Sequence, residues 1–292
     1  MHTETTMPKQ VEADNSNQSH GIWNFLKYLR AIPFWIIIVC FITLVIGMTV
    51  AVFFNAFAKA WNGTILPDGY TLQWFKQAWV SYEIGNYYQI TLEIVFSATV
   101  ISLVLSLPTA YILARRDFPY KNLLIGFFQM PFTLPELVYA IPITSIFYSI
   151  GLAETMPGLI LVNLIIGIPF SVFILIPFIE SLDQRLEWAA QSLGASKFKM
   201  LTRIIIPQLI PGITASAINI FIRMFSNFTI ILLISGPEKQ TLPVMVFSVL
   251  SSSGSQPPQM LNSLALSLMF PLLFFAFFSL WFSSYTQRRL GK

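Results

Sequence analysis

The chain has 292 residues, 55% of them hydrophobic and 10% charged, with a mean hydropathy of +0.68. Its apolar runs are too long for a soluble core, and because they are continuous instead of alternating they also exclude a transmembrane β-barrel. The net charge of +4 and the pI near 9.2 trace to loop charges placed by topology, so no nucleic-acid partner is expected. The fold class expected is an all-α polytopic membrane protein in contact with the lipid bilayer.

A polar stretch opens the chain. Residues 1–30 read as a cytoplasmic N-terminal tail, and Met1 to His20 lack both a basic run and an apolar period, so no structure is expected there. Helical spans need about 20 apolar residues, and six runs reach that length, near 33–57, 88–114, 123–150, 157–179, 205–235 and 260–285, within a transmembrane domain of 31–287. The Ala56-Phe57-Ala58 triplet resembles a signal-peptidase site, but the run before it exceeds the ~7–15 residues of a signal core. Cys40, the single cysteine, lies in the first span and reads as a packing residue, leaving no disulfide framework or cysteine metal site.

The loop after span one carries the turn signal Pro67-Asp-Gly69, then Leu72, Phe75, Ala78 and Trp79 at helical spacing. This predicts an amphipathic helix at the membrane surface, with Trp61, Trp74 and Trp79 at headgroup level. Spans two to four hold Pro108, Pro131, Pro135, Pro142, Pro169 and Pro177. The pair Pro131-Phe-Thr-Leu-Pro135 is the best candidate for a break that lines a cavity. Between spans four and five lies a charged loop, 181–204, in which Asp183 can cap a helix carrying Leu186, Ala189, Ala190 and Leu193 on one stripe. Gly194 stops that helix. Phe198, Leu201 and Ile205 restart a second one running into span five, kinked by Pro207 and Pro211. The last external loop, Gly236 to Pro258, contains an apolar segment, Leu242 to Leu250, that predicts a short helix packed on the bundle.

Lys and Arg set the orientation. Lys27, Arg30, Arg115, Arg116, Lys121, Arg185, Lys197, Lys199, Arg203, Arg288, Arg289 and Lys292 fall on one side, against Lys59, Lys76 and Lys239 on the other. The positive-inside rule then puts both termini and the 181–204 loop in the cytoplasm.

Ionisable residues at a span centre cost about 2.5–3.5 kcal/mol and so face a partner or a cavity. Glu93 lies near the outer end of span two and reads as reaching the interface. Glu136 follows Pro135, where a carboxylate caps a half-helix or meets solute. In span five, Asn219, Arg223, Ser226 and, with them, Asn227 and Thr229 fall near one face. Such a stripe marks either a translocation path or an interhelical hydrogen-bond seam.

The stretch Glu187 to Pro207 resembles the EAA loop of type I ABC importer permeases. Ala189, Ala190, Gly194, Ile204 and Pro207 match in type and spacing, and Ile206 replaces a leucine. Trp188 stands where that family has glutamate, with Glu187 immediately before it. Thr91-Leu92, Leu107-Pro-Thr-Ala-Tyr111, Ala114-Arg115, Gly236-Pro237 and Thr241-Leu-Pro243 resemble the polyamine-type subfamily, and the nearest relatives implied are polyamine, phosphonate and iron permeases. The resemblance implies a permease subunit with no enzymatic site, a second permease subunit, identical or homologous, a cytoplasmic ABC ATPase dimer that holds ATP and Mg, and an extracytoplasmic solute-binding protein. No cofactor is implied in this chain. The residues it assigns to ATPase coupling are Glu187, Trp188, Ala189, Ala190, Gly194, Ala195, Ile204 and Pro207. Trp188 reads either as an aromatic anchor for the ATPase or as a membrane-surface residue. For the path, Glu136, Asn219, Arg223, Ser226 and Asn227 are the candidates. The Ser226-Asn227 pair is neutral where polyamine permeases often carry acids, so the solute expected is neutral, zwitterionic or anionic, such as a phosphonate. An ion-coupled secondary transporter and a polyamine permease are the alternatives. A membrane enzyme is disfavoured: both histidines, His2 and His20, lie in the tail, and neither a Gly-x-Ser-x-Gly nor a phosphate-loop motif occurs.

Overall fold

The computed structural model describes residues 10–61, 67–252 and 256–289, and divides into two units, one ending at Asn55 and one beginning at Ala56. The first unit is helix α1, Gln10–Phe57, up to Asn55. Here the structure departs from the tail expected through His20, because helix already runs from Gln10. That segment contains one proline, Pro33, and two glycines, so little interrupts a helix once the apolar part has nucleated it. Residues 1–9 lie outside the described part.

In the second unit the chain leaves α1 through a tight crossing. Lys59 N–H bonds the Gly69 carbonyl and Thr71 N–H the Phe57 carbonyl, and the Trp74 indole donates to the Ala58 carbonyl at 2.8 Å. The surface helix predicted here is α2, Gln73–Ser81, which buries Ala78 and leaves Trp79 half exposed. Trp61 and Trp74 flank the same crossing. There follow α3 (Ile84–Arg115), α4 (Lys121–Thr133), α5 (Glu136–Ser149) and α6 (Met156–Glu180). Next come α7 (Gln184–Ser192), α8 (Lys197–Met200), a π-helical turn Leu201–Ile205, α9 (Ile206–Phe225) and α10 (Thr229–Ile234). A 3-10 turn (Pro237–Lys239), α11 (Leu242–Ser251) and α12 (Pro258–Arg289) complete the described order. Five described helices are long and apolar enough to cross a membrane, or six if α4 and α5 count as one broken span.

The third predicted span, 123–150, is that broken pair. α4 and α5 meet at 97° around Leu134 and Pro135, whereas Pro108, Pro131, Pro142, Pro169 and Pro177 sit inside their helices. Pro135 breaks the chain because residue 134, ahead of a proline, is driven to extended backbone, and Leu134 has ψ 141°. The fifth span is broken as well. α9 stops at Phe225 and helix resumes at Thr229, although no proline or glycine marks the place; the Ser226 and Asn227 N–H groups close α9 on the Ile222 and Met224 carbonyls, and the Asn227 side chain leaves for Asn163 of α6. The kink expected from Pro207 takes the form of the π turn, closed by Ile206 N–H to the Leu201 carbonyl one residue before the proline, whose ring crowds the carbonyl four residues back.

α3, α6 and α9 form the mutually packed centre of this unit, with α3 against α6 the most extensive contact. Small residues allow the approach. A Cβ on Gly167 would stand 2.0 Å from Met224 Cε and 2.5 Å from Ser102 Oγ, and one on Gly212 would stand 2.6 Å from the Phe178 ring. Ser171 and Ser216 hydroxyls meet at 3.0 Å between α6 and α9. The predicted short helix in the last external loop is α11, and its first N–H, at Leu242, donates to Thr91 Oγ1 of α3 at 2.8 Å.

α6 starts on Thr155, whose hydroxyl accepts from Gly158 N–H. A methyl group at Gly158 would lie 1.9 Å from the Leu152 carbonyl oxygen, a backbone atom that cannot rotate away. Gly158→Ala is therefore expected to destabilise the fold by about 1–3 kcal/mol, read as a lowered thermal midpoint of the detergent-purified chain; an unchanged melting curve contradicts this packing.

Candidate functional site

α7 is built by its ends. Asp183 precedes it, and its Oδ1 accepts from Arg185 N–H at 2.9 Å, satisfying one of the donors that a helix start leaves open. At the other end Gly194 has φ +77°. Gly194 and Ala195 N–H groups return to the Gln191 and Ala190 carbonyls at 2.9 and 3.0 Å, the paired bonds of a glycine stop. Ser196 then caps α8 by accepting from Lys199 N–H. The helix, glycine turn and second helix expected from the sequence are all present.

α7 divides the expected stripe. Its buried residues are Glu187 and Ala190, whereas Leu186, Ala189 and Leu193 of the predicted stripe face outward, Leu193 at 88% exposure. Glu187 decides this. Its Oε1 accepts from Arg115 Nε at 2.8 Å and its Oε2 from the Tyr111 hydroxyl at 2.6 Å. Arg115 Nη2 donates onward to the Leu182 carbonyl at 2.7 Å, in the short link between α6 and α7. The two charged side chains keep 9% and 7% exposure. Desolvating such a pair is costly, and it is tolerable only when each oxygen is hydrogen-bonded, as here. Glu187 lies about 100° round the helix from Leu186, so pinning it inward turns the leucines out.

Tyr111 and Arg115 carry no site role in the sequence reading, which uses them in a subfamily motif and Arg115 also in the charge asymmetry. A signal was nonetheless present: the two are four residues apart, and thus neighbours on one helix face, at the end of a span next to a loop holding an acid. Ala195 and Ile204 pack with Ala190, Met200, Ile205 and Leu209 in one apolar cluster, while Pro207 is exposed. Trp188 is 58% exposed and Phe198 75%. The cleft between α7 and α8, about 280 Å³, is lined by Tyr111, Arg116, Gln191, Lys197, Phe198 and Met200 among others.

The candidate path residues divide. Asn219, Arg223 and Ser226 are exposed along one face of α9, Asn219 bonded only to its own helix at the Ala215 carbonyl. Arg223 makes no ion pair among the described residues. Asn227 turns away from that face and is buried; its Nδ2 donates to Asn163 Oδ1 of α6 at 3.1 Å, and Asn163 in turn donates to the Leu159 carbonyl. Asn227 thus lies in an interhelical hydrogen-bond seam, while Asn219, Arg223 and Ser226 lie on an exposed face. Glu136, first residue of α5, has Oε1 3.4 Å from Ile230 N–H in the first turn of α10, so it bridges the two broken spans. Glu93 is exposed in an apolar groove of about 780 Å³ beside Trp79, Tyr88 and Phe96, a place compatible with the interface.

Several known proteins resemble this chain. The profile of the binding-protein-dependent transport system inner membrane component family matches residues 106–292. The diacetylchitobiose uptake system permease protein NgcG of Streptomyces coelicolor is 31% identical over 163 residues, 56% of this chain and 54% of that protein. The molybdate/tungstate transport system permease protein WtpB of Methanocaldococcus jannaschii is 32% identical over 165 residues, 54% of this chain and 66% of that one. The trehalose transport system permease protein SugB of Mycobacterium tuberculosis is 32% identical over 161 residues, and the chain spans only 54% and 59% of the lengths of NgcG and SugB. In structure, a chain of a bacterial ABC transporter involved in the import of the acidic polysaccharide alginate superposes with a TM-score of 0.70, covering 93% of this chain and 96% of that one at 14% identity, a likeness of fold.

Interhelical side-chain bonds within membranes are worth about 0.6 kcal/mol on average and up to about 1.7. A double-mutant cycle of Asn163→Ala and Asn227→Ala is expected to give a coupling of that size in thermal unfolding, because each single change orphans a buried amide. Strict additivity of the two changes contradicts the bond.

Proposed function

Since the chain belongs to the binding-protein-dependent transport system inner membrane component family, we propose that it is the permease subunit of an ATP-driven importer and that α7 is its docking element for a cytoplasmic ABC ATPase dimer. The observation that carries this is the orientation of α7. One face is committed to Glu187 and Ala190 inside the bundle, and the opposite side offers Leu186, Ala189, Trp188 and Leu193 at an end rich in Lys and Arg. Exposed leucine and tryptophan on a short helix surrounded by polar residues suit a protein contact. The basic residues at the same end support a cytoplasmic position, with both termini on that side. ATP and Mg belong to the partner, and the bilayer, a second permease subunit and an external binding protein complete the assembly; one solved relative in fold is an alginate transporter in complex with a pentasaccharide-bound periplasmic protein.

The solute path runs along the free face of α9, bordered by Asn219, Arg223 and Ser226 with Glu136 nearby. An exposed arginine on that face favours a neutral or anionic solute over a polyamine. The relatives are named for sugars and for oxyanions, both within that class, and none of those described above is named for a phosphonate.

Leu193→Asp is expected to abolish co-purification of the ATPase with the solubilised chain, and Trp188→Ala to weaken it by about 2 kcal/mol or more if the indole is a hot-spot anchor. Undiminished association of the Trp188 variant assigns the indole to the bilayer surface instead, and undiminished association of both variants removes α7 as the docking element.

Arg223→Ala is expected to leave ATPase association intact and to reduce solute uptake into vesicles by at least the ~1.5–3 kcal/mol of a charge-assisted hydrogen bond, roughly tenfold to a hundredfold. Wild-type uptake by this variant moves the path off the α9 face.

A further inference from the structure

We infer that Glu187 is an internal latch and not part of the ATPase contact, making α7 a handle fixed to three spans at once. This rests on the permease reading above for its function, though its geometry stands without it. A loop helix tied only through the backbone would reach α6 by its start and α9 by its Gly194 turn. Those links are not continuous helix: between Glu180 and Gln184 the chain passes through non-helical Ser181, Leu182 and Asp183, and a positive-φ glycine lies on the other side. A push on such a helix is absorbed by the links before it reaches the bundle.

The latch removes that slack. Glu187 sits in the middle of α7, and both of its carboxylate oxygens are held by the last turns of α3 through Tyr111 and Arg115. Arg115 also grips the Leu182 carbonyl in the α6–α7 link, so a single guanidinium ties α3, the link and α7. The bonds lie at the end of the α3, α6 and α9 packing centre, next to the apolar cluster that includes Ala110, Leu113, Ile179, Ala190 and Leu209. A buried charge pair is stiff, because letting go of Arg115 without rehydrating Glu187 leaves an uncompensated charge. Motion imposed on α7 is therefore delivered to α3, α6 and α9 together as one body. The α4–α5 pair, set at 97°, meets that body through α4, whose Phe132 lies on Phe170 and Phe173 of α6, and packs on α10 through α5. In this arrangement Tyr111, Arg115 and Glu187 are positioning residues for transport, acting through α7.

The test reads α7 directly in the full-length chain in lipid nanodiscs, by hydrogen exchange of the 184–195 segment. Glu187→Gln and Arg115→Met are expected to accelerate exchange there on the order of tenfold or more while the α6 interior is unchanged. Tyr111→Phe, which keeps the charge pair and the fold, is expected to give a smaller acceleration confined to the same segment. The exchanged pair, Arg115→Glu with Glu187→Arg, is expected to recover part of the protection. Unchanged exchange of 184–195 in the single variants overturns the latch, and so does acceleration spread evenly over α3, α6 and α9. With the cognate ATPase present, Glu187→Gln is expected to retain the ATPase but transport less solute per ATP hydrolysed. Loss of ATPase binding in this variant overturns the inference by placing Glu187 in the contact. If the wild-type chain binds no ABC ATPase, the proposed function fails while the exchange experiment still decides the latch.

Discussion

Inside a bilayer no backbone donor or acceptor can turn to water, and each unsatisfied group costs several kcal/mol. That constraint accounts for the long helices of this chain and, more informatively, for where they stop. At the start of α11, Thr91 of α3 takes the Leu242 N–H. At the start of α10, Glu136 of α5 faces the Ile230 N–H. Beside the gap between α9 and α10, Asn227 reaches Asn163 of α6. Each irregularity is thus attended by a side chain from another element, so the breaks serve as tie points between helices.

Those tie points divide the second unit into a centre and a periphery. The centre is α3, α6 and α9, brought close by Gly167 and Gly212 and joined by the Ser171–Ser216 contact. Around it lie the broken α4–α5 pair, α10 and α11. Polar groups are concentrated at the two ends of this arrangement. One end holds the Tyr111–Arg115–Glu187 cluster, and the other the turn where Glu154 N–H bonds the Ile234 carbonyl and the Glu154 carboxylate lies close to Gly236.

The departure from the family pattern at position 188 has a structural counterpart. An acid is kept, one residue earlier, and there it points into the bundle; the tryptophan points out. One step along a helix is about 100° of rotation, so the adjacent Glu187 and Trp188 take different faces, the carboxylate inward against Arg115 and the indole outward. The exposed face is consequently more apolar than a glutamate would leave it.

Much of this protein follows from its sequence alone. Span length, the lysine and arginine asymmetry, the amphipathic spacing in α2, and Asp183 and Gly194 as helix start and stop are local signals, each set by a few neighbouring residues and by the solvent they face. The residues around Gly194 took the predicted conformation because no distant contact opposes it. The helical phase of α7, the break after Phe225 and the division of labour between Arg223 and Asn227 depend instead on Tyr111, Arg115 and Asn163, which stand 76, 72 and 64 positions from their partners. Periodicity puts Leu186, Ala189, Ala190 and Leu193 on one stripe, but it carries no information on Glu187 meeting Arg115 and Tyr111, which draws Ala190 inward and leaves the other three out. Leaving Glu187 buried and unpaired costs about 3–5 kcal/mol, so its ion pair with Arg115 holds this phase while Leu186 and Leu193 stay outward. Which residue meets which across the bundle was decided by the tertiary structure, because only the folded chain brings a charge and its partner within reach.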